Sequence, residues 1–115
     1  MMKIQEVQNY LQDHIHEPVR VSDLARYLHF STAQVYRDMI RLTGCPPQQY
    51  IMDYKLEQAV SMIENTTLSI QEVSANVGFR YESHFYRQFK NIMGITPAEY
   101  RQLSSCGNKK SWLGV

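Results

Sequence analysis

Residues 21–30 (VSDLARYLHF) lie over residues 70–79 (IQEVSANVGF) at an offset of 49, and one extra residue, Arg80, carries the register to 50. With that shift Tyr36 meets Tyr86, Arg37 meets Arg87, Gly44 meets Gly94, Pro47 meets Pro97 and Tyr50 meets Tyr100. A chain of 115 residues fits one compact domain, or two very small helical units that share a core, and is too short for most large enzyme scaffolds. Each copy reads as a short helix, a tight turn, a second helix, and a Gly-x-x-Pro break into another helix.

Local signals place the helices. Ser69-Ile70-Gln71-Glu72 is a capping box, in which the Ser69 hydroxyl accepts from a free backbone N–H and Glu72 reaches back. Thr96-Pro97-Ala98-Glu99 is a second box, with Pro97 at the first helical position, where a missing N–H costs nothing. Ser31-Thr32-Ala33-Gln34 is the matching signal in the first copy. Helical spacing assigns Val35, Met39 and Leu42, and Phe85, Phe89 and Ile92, to inner faces. Met52, Leu56, Ala59, Val60 and Ile63 form a stripe on a longer connecting helix that ends at Asn65-Thr66-Thr67. A further amphipathic helix over about residues 3–15 presents Ile4, Val7, Leu11 and Ile15 to the first unit. The fold expected is all-α, with about seven helices. Gly78 suits a turn with positive φ, and His29 holds the same place in copy one.

The expected organisation is a first unit over 1–52, the remainder of a linker helix over 53–66, a second unit over 67–103, and a poorly ordered tail over 104–115 to which Trp112 and Leu113 belong. Hydrophobic residues make up 43% and charged ones 20%, ordinary for a packed globular chain. No apolar run is long enough to span a bilayer and no signal peptide opens the chain, which predicts a cytoplasmic protein without membrane partners. Cys45 and Cys106 stand apart with no metal-ligand spacing, so free thiols are expected, with no metal and no cofactor. The net charge is only +1, but its distribution is uneven: residues 56–79 carry −3 and residues 80–115 carry +4. A local basic patch is what attracts phosphate.

Two helices joined at a steep angle by a tight turn, with a small residue (Ala25 or Ser74) where they pack, describe a helix-turn-helix. In that motif the second helix enters the major groove. Arg37 and Arg87 project from equivalent places on the two second helices, outside the apolar stripe. An arginine grips guanine O6 and N7 with two parallel hydrogen bonds. Ser83 and His84 lie one turn before Arg87, while Lys90 and Arg80 are placed to reach phosphates.

The pattern Ser69-Ile70…Glu72-Val73-Ser74…Val77-Gly78-Phe79…Ser83…Phe85…Arg87…Phe89-Lys90…Gly94…Thr96-Pro97…Tyr100-Arg101 resembles the C-terminal signature of AraC/XylS-type bacterial transcription regulators, and the match extends over about residues 3–103. The resemblance implies two homeodomain-like helix-turn-helix units held by a long linker helix. It implies binding to double-stranded promoter DNA, most often to activate transcription through contact with RNA polymerase. By the same resemblance Ala33, Gln34, Tyr36 and Arg37, with Ser83, His84 and Arg87, are the base-facing candidates, and Ser31, Thr32, Arg41, Lys55, Tyr81 and Lys90 join Arg80 as backbone-contact candidates. The family usually carries a further sensing, dimerising or receiver domain, so this chain is expected to be part of a longer regulator rather than a stand-alone activator.

The first unit departs from the pattern. Met39-Ile40 stands where Phe-Lys is common, Arg20 cannot accept a hydrogen bond as a cap, and Ala33 is short. In the second unit Tyr81 replaces a common acceptor. The second unit is therefore expected to supply more of the affinity. A helical protein-interaction module that does not read DNA is the rival reading, supported by the low net charge. An enzyme is the weakest: His14 and His16 do not share a helix face, and no nucleophile motif or phosphate-cradling loop is present.

Overall fold

The computed structural model describes residues 2–105. They form seven helices and no strand: α1 (Ile4–Asp13), α2 (Val21–Leu28), α3 (Thr32–Thr43), α4 (Pro47–Asn65), α5 (Ile70–Asn76), α6 (Glu82–Met93) and α7 (Pro97–Ser105). The expectations for Cys106, Trp112, Leu113 and most of the tail lie outside the described residues. Ser104 and Ser105, expected in that tail, belong to the last helix instead.

The repeat is visible bond by bond. At the end of α2 the Phe30 N–H donates to Ala25 O (3.0 Å) and the His29 N–H to Arg26 O (3.2 Å). At the end of α5 Phe79 donates to Ser74 O (3.0 Å) and Gly78 to Ala75 O (3.0 Å). Both are Schellman turns, which satisfy orphan carbonyls at the cost of one left-handed residue. That residue is His29 in one copy (φ 62°) and Gly78 in the other (φ 83°). Gly44 and Gly94 close α3 and α6 with a simpler left-handed cap, at φ of 81° and 84°, each N–H donating to the carbonyl four residues back (Ile40 O, 2.9 Å; Lys90 O, 2.8 Å).

The helix starts follow the sequence signals. Ser69 Oγ accepts from the Glu72 N–H while Glu72 accepts from the Ser69 N–H. Thr96 and Glu99 repeat this before α7, and Ser31 Oγ accepts from the Gln34 N–H before α3. Ahead of α2 the Asp23 carboxylate accepts from the Arg20 N–H, and the Arg20 side chain offers no acceptor in return. Tyr81 makes no side-chain cap for α6.

Two buried clusters organise the packing. Val7, Tyr10, Leu11, Leu24, Leu28, Val35, Met39 and Ile51 fill the first, and Leu56, Ala59, Ile63, Val73, Val77, Phe85, Phe89 and Tyr100 the second. The linker α4 passes from one to the other between Ile51 and Leu56. Phe85 and Phe89 are wholly buried, and each contributes about 1.5–3 kcal/mol over an exposed ring. The principal helix pairings, apart from those with α4, join α1 to α2, α2 to α3, α5 to α6 and α6 to α7.

Three expectations about packing need correction. Leu42 and Ile92 sit one step further along the stripes than Met39 and Phe89, yet they are 43% and 45% exposed. Both lie in the last turn before a terminating glycine, where the helix overhangs its core. Ile15 follows the end of α1 rather than extending it, and it packs against the second cluster, not the first.

Candidate nucleic-acid interface

On α3 the helical period turns Val35, Asp38 and Met39 inward. Thr32, Ala33, Arg37 and Arg41 are exposed, as is the cap Ser31, while Gln34 and Tyr36 are half-buried. The Tyr36 hydroxyl accepts a hydrogen bond from Gln48 Nε2, which fastens this side of α3 to the start of α4. Gln48 was not distinguished in the sequence, because the bond crosses the Gly-x-x-Pro break.

On α6 the same logic buries Phe85 and Phe89 and leaves Ser83, His84, Arg87 and Lys90 exposed. Arg80 and Tyr81 stand exposed just before the helix. The His84 ring meets the Phe79 ring edge-on, with centroids 5.3 Å apart, so its position is set by a core residue of the turn. Tyr86 is half-buried with its ring against Phe85. The repeat therefore carries through to the outer faces: Arg37 and Arg87 are both exposed on the second helix of their unit, each backed by its own core.

Electrostatics favour an anionic partner on these faces. Among the described residues Glu17 lies against His14 and His16, and no carboxylate pairs with an arginine of α3 or α6. The guanidinium groups of Arg37, Arg41, Arg80 and Arg87 thus meet no carboxylate. Among the described residues no acidic side chain pairs with them. Lys90 lies near Glu99, whose carboxyl is held below its ordinary range mainly by the Thr96 N–H and hydroxyl, with a smaller share from Lys90.

Lys55 does not fit the phosphate-contact role expected of it. Its side chain is only 5% exposed, and Nζ donates to Ile15 O (2.9 Å), Glu17 O (2.7 Å) and Val77 O (2.9 Å). Three donors are spent on three carbonyls, which leaves none for DNA. Burial pushes its pKa down to about 8, against a smaller upward pull from Glu17.

A cleft of about 740 Å³ opens where the two units meet. Its walls include Val21, Ile51, Met52 and Phe79, with Arg20 and Arg80 among its polar residues, and Tyr81 and His84 also border it. Two of the expected backbone contacts thus share a rim with Arg20, a residue noted in the sequence only as a poor cap. No helix among the described residues is long and apolar enough to cross a membrane.

Comparisons with known proteins agree with this geometry. A family model described as a helix-turn-helix domain matches residues 24–103. The chain is 32% identical over 100 residues to the uncharacterised HTH-type transcriptional regulator YisR of Bacillus subtilis, a match that takes in 87% of this chain and 35% of that protein. It spans about a third of the length of the first curated relatives it matches. Among solved structures, the DNA-binding domain of AdpA, a global transcriptional factor in complex with a target DNA, superposes with a TM-score of 0.84 at 28% identity, covering 91% of this chain and 95% of that one. A transcriptional regulator of Chromobacterium violaceum, described among AraC-type DNA-binding domain-containing proteins, gives 0.80 at 28% identity over 87% and 89% of the two chains.

Proposed function

Because the chain belongs to the AraC-type family of helix-turn-helix domains, we propose that it binds double-stranded promoter DNA sequence-specifically and so regulates transcription. In this reading α3 and α6 enter successive major-groove segments. The observation that carries it is the pair of exposed arginines, Arg37 and Arg87, without a carboxylate partner among the described residues and set in register on the two second helices.

The roles follow from side-chain chemistry. Arg37 and Arg87 read guanine edges bidentately, each discriminating by about 1–3 kcal/mol. Gln34 and Tyr36 beside Arg37, and Ser83 and His84 beside Arg87, contact neighbouring bases, while Ala33 offers a methyl for thymine contact. Ser31, Thr32, Arg41, Arg80, Tyr81 and Lys90 hold the phosphates that fix register. The long axis of 45 Å accommodates two helices about 34 Å apart, one turn of duplex. The AdpA domain, crystallised with a target DNA, supports this docking by its similarity. Activation through RNA polymerase, a cytoplasmic location, and sensing or dimerisation through a further domain complete the proposal.

In vitro selection on random duplex DNA tests it, run beside the Arg37→Ala/Arg87→Ala variant. The expected result is a site with two preferred blocks roughly one helical turn apart, lost in the variant. A folded sample that enriches no sequence would overturn the proposal and favour a protein-interaction module.

A further inference from the structure

The two units meet chiefly through α4, and Lys55 lies on that helix where one core gives way to the other. Its ammonium bonds Ile15 O and Glu17 O, on the connection between α1 and α2, and Val77 O, at the end of α5. One side chain therefore ties the first unit, the linker and the second unit together. Each of its three donors has one acceptor, so a rotation of either unit about α4 would strand a buried charge or a carbonyl. The turn of the second unit is shaped to admit this group. A Cβ on Gly78 would lie 2.4 Å from Lys55 Nζ, 2.6 Å from Glu17 O and 2.7 Å from Ile15 O. The side chain of Ile15 supports the same junction from the apolar side by packing into the second cluster.

We propose that Lys55 is a positioning residue for specificity: it touches no DNA, but by fixing the angle between the two units it sets the spacing of the two half-sites that the chain accepts. This rests on the two-helix reading of DNA given above. A rigid pair of recognition helices binds one spacing and pays for others by bending the duplex or losing one contact surface. A loose pair accepts several spacings and gains less from any of them, because the second docking event loses effective concentration.

Two measurements on the whole chain test the inference. The first needs no DNA. With Cys45→Ser and Cys106→Ser in place, spin labels at Asn9→Cys on α1 and Asn91→Cys on α6, both exposed positions, report the distance between units. A narrow distribution is expected, broadening at least twofold when Lys55→Met is added. The second uses the selected site with the gap between its blocks changed one base pair at a time. The original chain should lose at least tenfold in affinity on a one-base-pair change. Lys55→Met should lose affinity at the best spacing, show a penalty of threefold or less for the same change, and bind a single block within threefold of the original.

Lys55→Gln keeps part of the donor set and serves if Lys55→Met does not fold. Unchanged label distances, or a spacing profile equally sharp in the variant, would overturn the inference. So would the failure of both variants to fold, since Lys55 would then be a requirement of the fold and not a setting of its geometry. Loss of affinity for a single block would also count against it. If the chain selects no DNA at all, the DNA reading falls, and the label distances still decide whether Lys55 fixes the units.

Discussion

Gly78 and Gly94 offer a matched pair of perturbations, since both are left-handed, at φ 83° and 84°, yet a Cβ at Gly94 meets nothing within 4 Å. Gly94→Ala should therefore report the backbone conformation alone. An L-residue in this region costs about 1–2 kcal/mol, partly offset by about 0.4–1 kcal/mol from a less flexible unfolded chain. The expected net loss is close to 1 kcal/mol. Gly78→Ala carries the same term and adds a collision with Lys55 Nζ and two backbone oxygens. The ammonium could be displaced, but the carbonyls of Ile15 and Glu17 cannot withdraw without moving the α1–α2 connection. Overpacking of this kind costs about 1–3 kcal/mol, so the total should be about 3 kcal/mol. Urea unfolding followed by helical circular dichroism measures both losses, and a gap of 2 kcal/mol corresponds to roughly 8 °C in Tm for a chain of this size. Adding Lys55→Met to Gly78→Ala should restore nothing, because two of the three obstacles are backbone and the carbonyls of Ile15, Glu17 and Val77 lose their donor. Equal losses for the two alanine variants would refute the reasoning, and so would recovery in the double variant.

Phe89→Ala removes a wholly buried ring that packs against Phe85 and Tyr100, and should cost about 3–5 kcal/mol in the same unfolding assay. On selected DNA, Arg80→Ala and Lys90→Ala should each reduce the slope of log K against log salt by about 0.9, as measured by titration at several salt concentrations, without changing the preferred sequence. Arg87→Ala should weaken specific binding more than Arg37→Ala, and competition assays giving the reverse order would remove the second unit from its leading role. Glu72 and Glu99 have folded pKa values below their ordinary 4.5, because each accepts from a capping N–H and lies beside a capping hydroxyl. Their contribution is therefore fully present above that value and is lost as pH falls through the lower folded values. Thermal melts from pH 6 to 2 should show a shallower acid decline for Glu72→Gln/Glu99→Gln than for the original chain.

What could be read from the sequence was whatever local chemistry decides. The repeat, the boxes at Ser69 and Thr96, the cap at Ser31 and the left-handed turns at His29 and Gly78 each depend on residues close in the chain. The exposed arginines followed from periodicity for the same reason. Lys55 was misread because an isolated lysine ordinarily carries its charge to water, and the three carbonyls that hold it come from positions 15, 17 and 77. A trace of its burial was present: Lys55 falls three residues after Met52 and four before Ala59, on the apolar stripe of α4. Leu42 and Ile92 failed in the opposite sense, since periodicity states which way a side chain points but not whether anything faces it at a helix end.

The two Schellman turns are held by the same hydrogen bonds, but they do not have the same freedom to change. His29 is exposed, so its side chain leads into solvent, and the position can accept any residue that tolerates a left-handed backbone. Gly78 is enclosed by the junction it helps to form, and no side chain fits there. The two copies are thus under unequal constraint at this turn: the outer one tolerates a side chain, and the one at the joint does not.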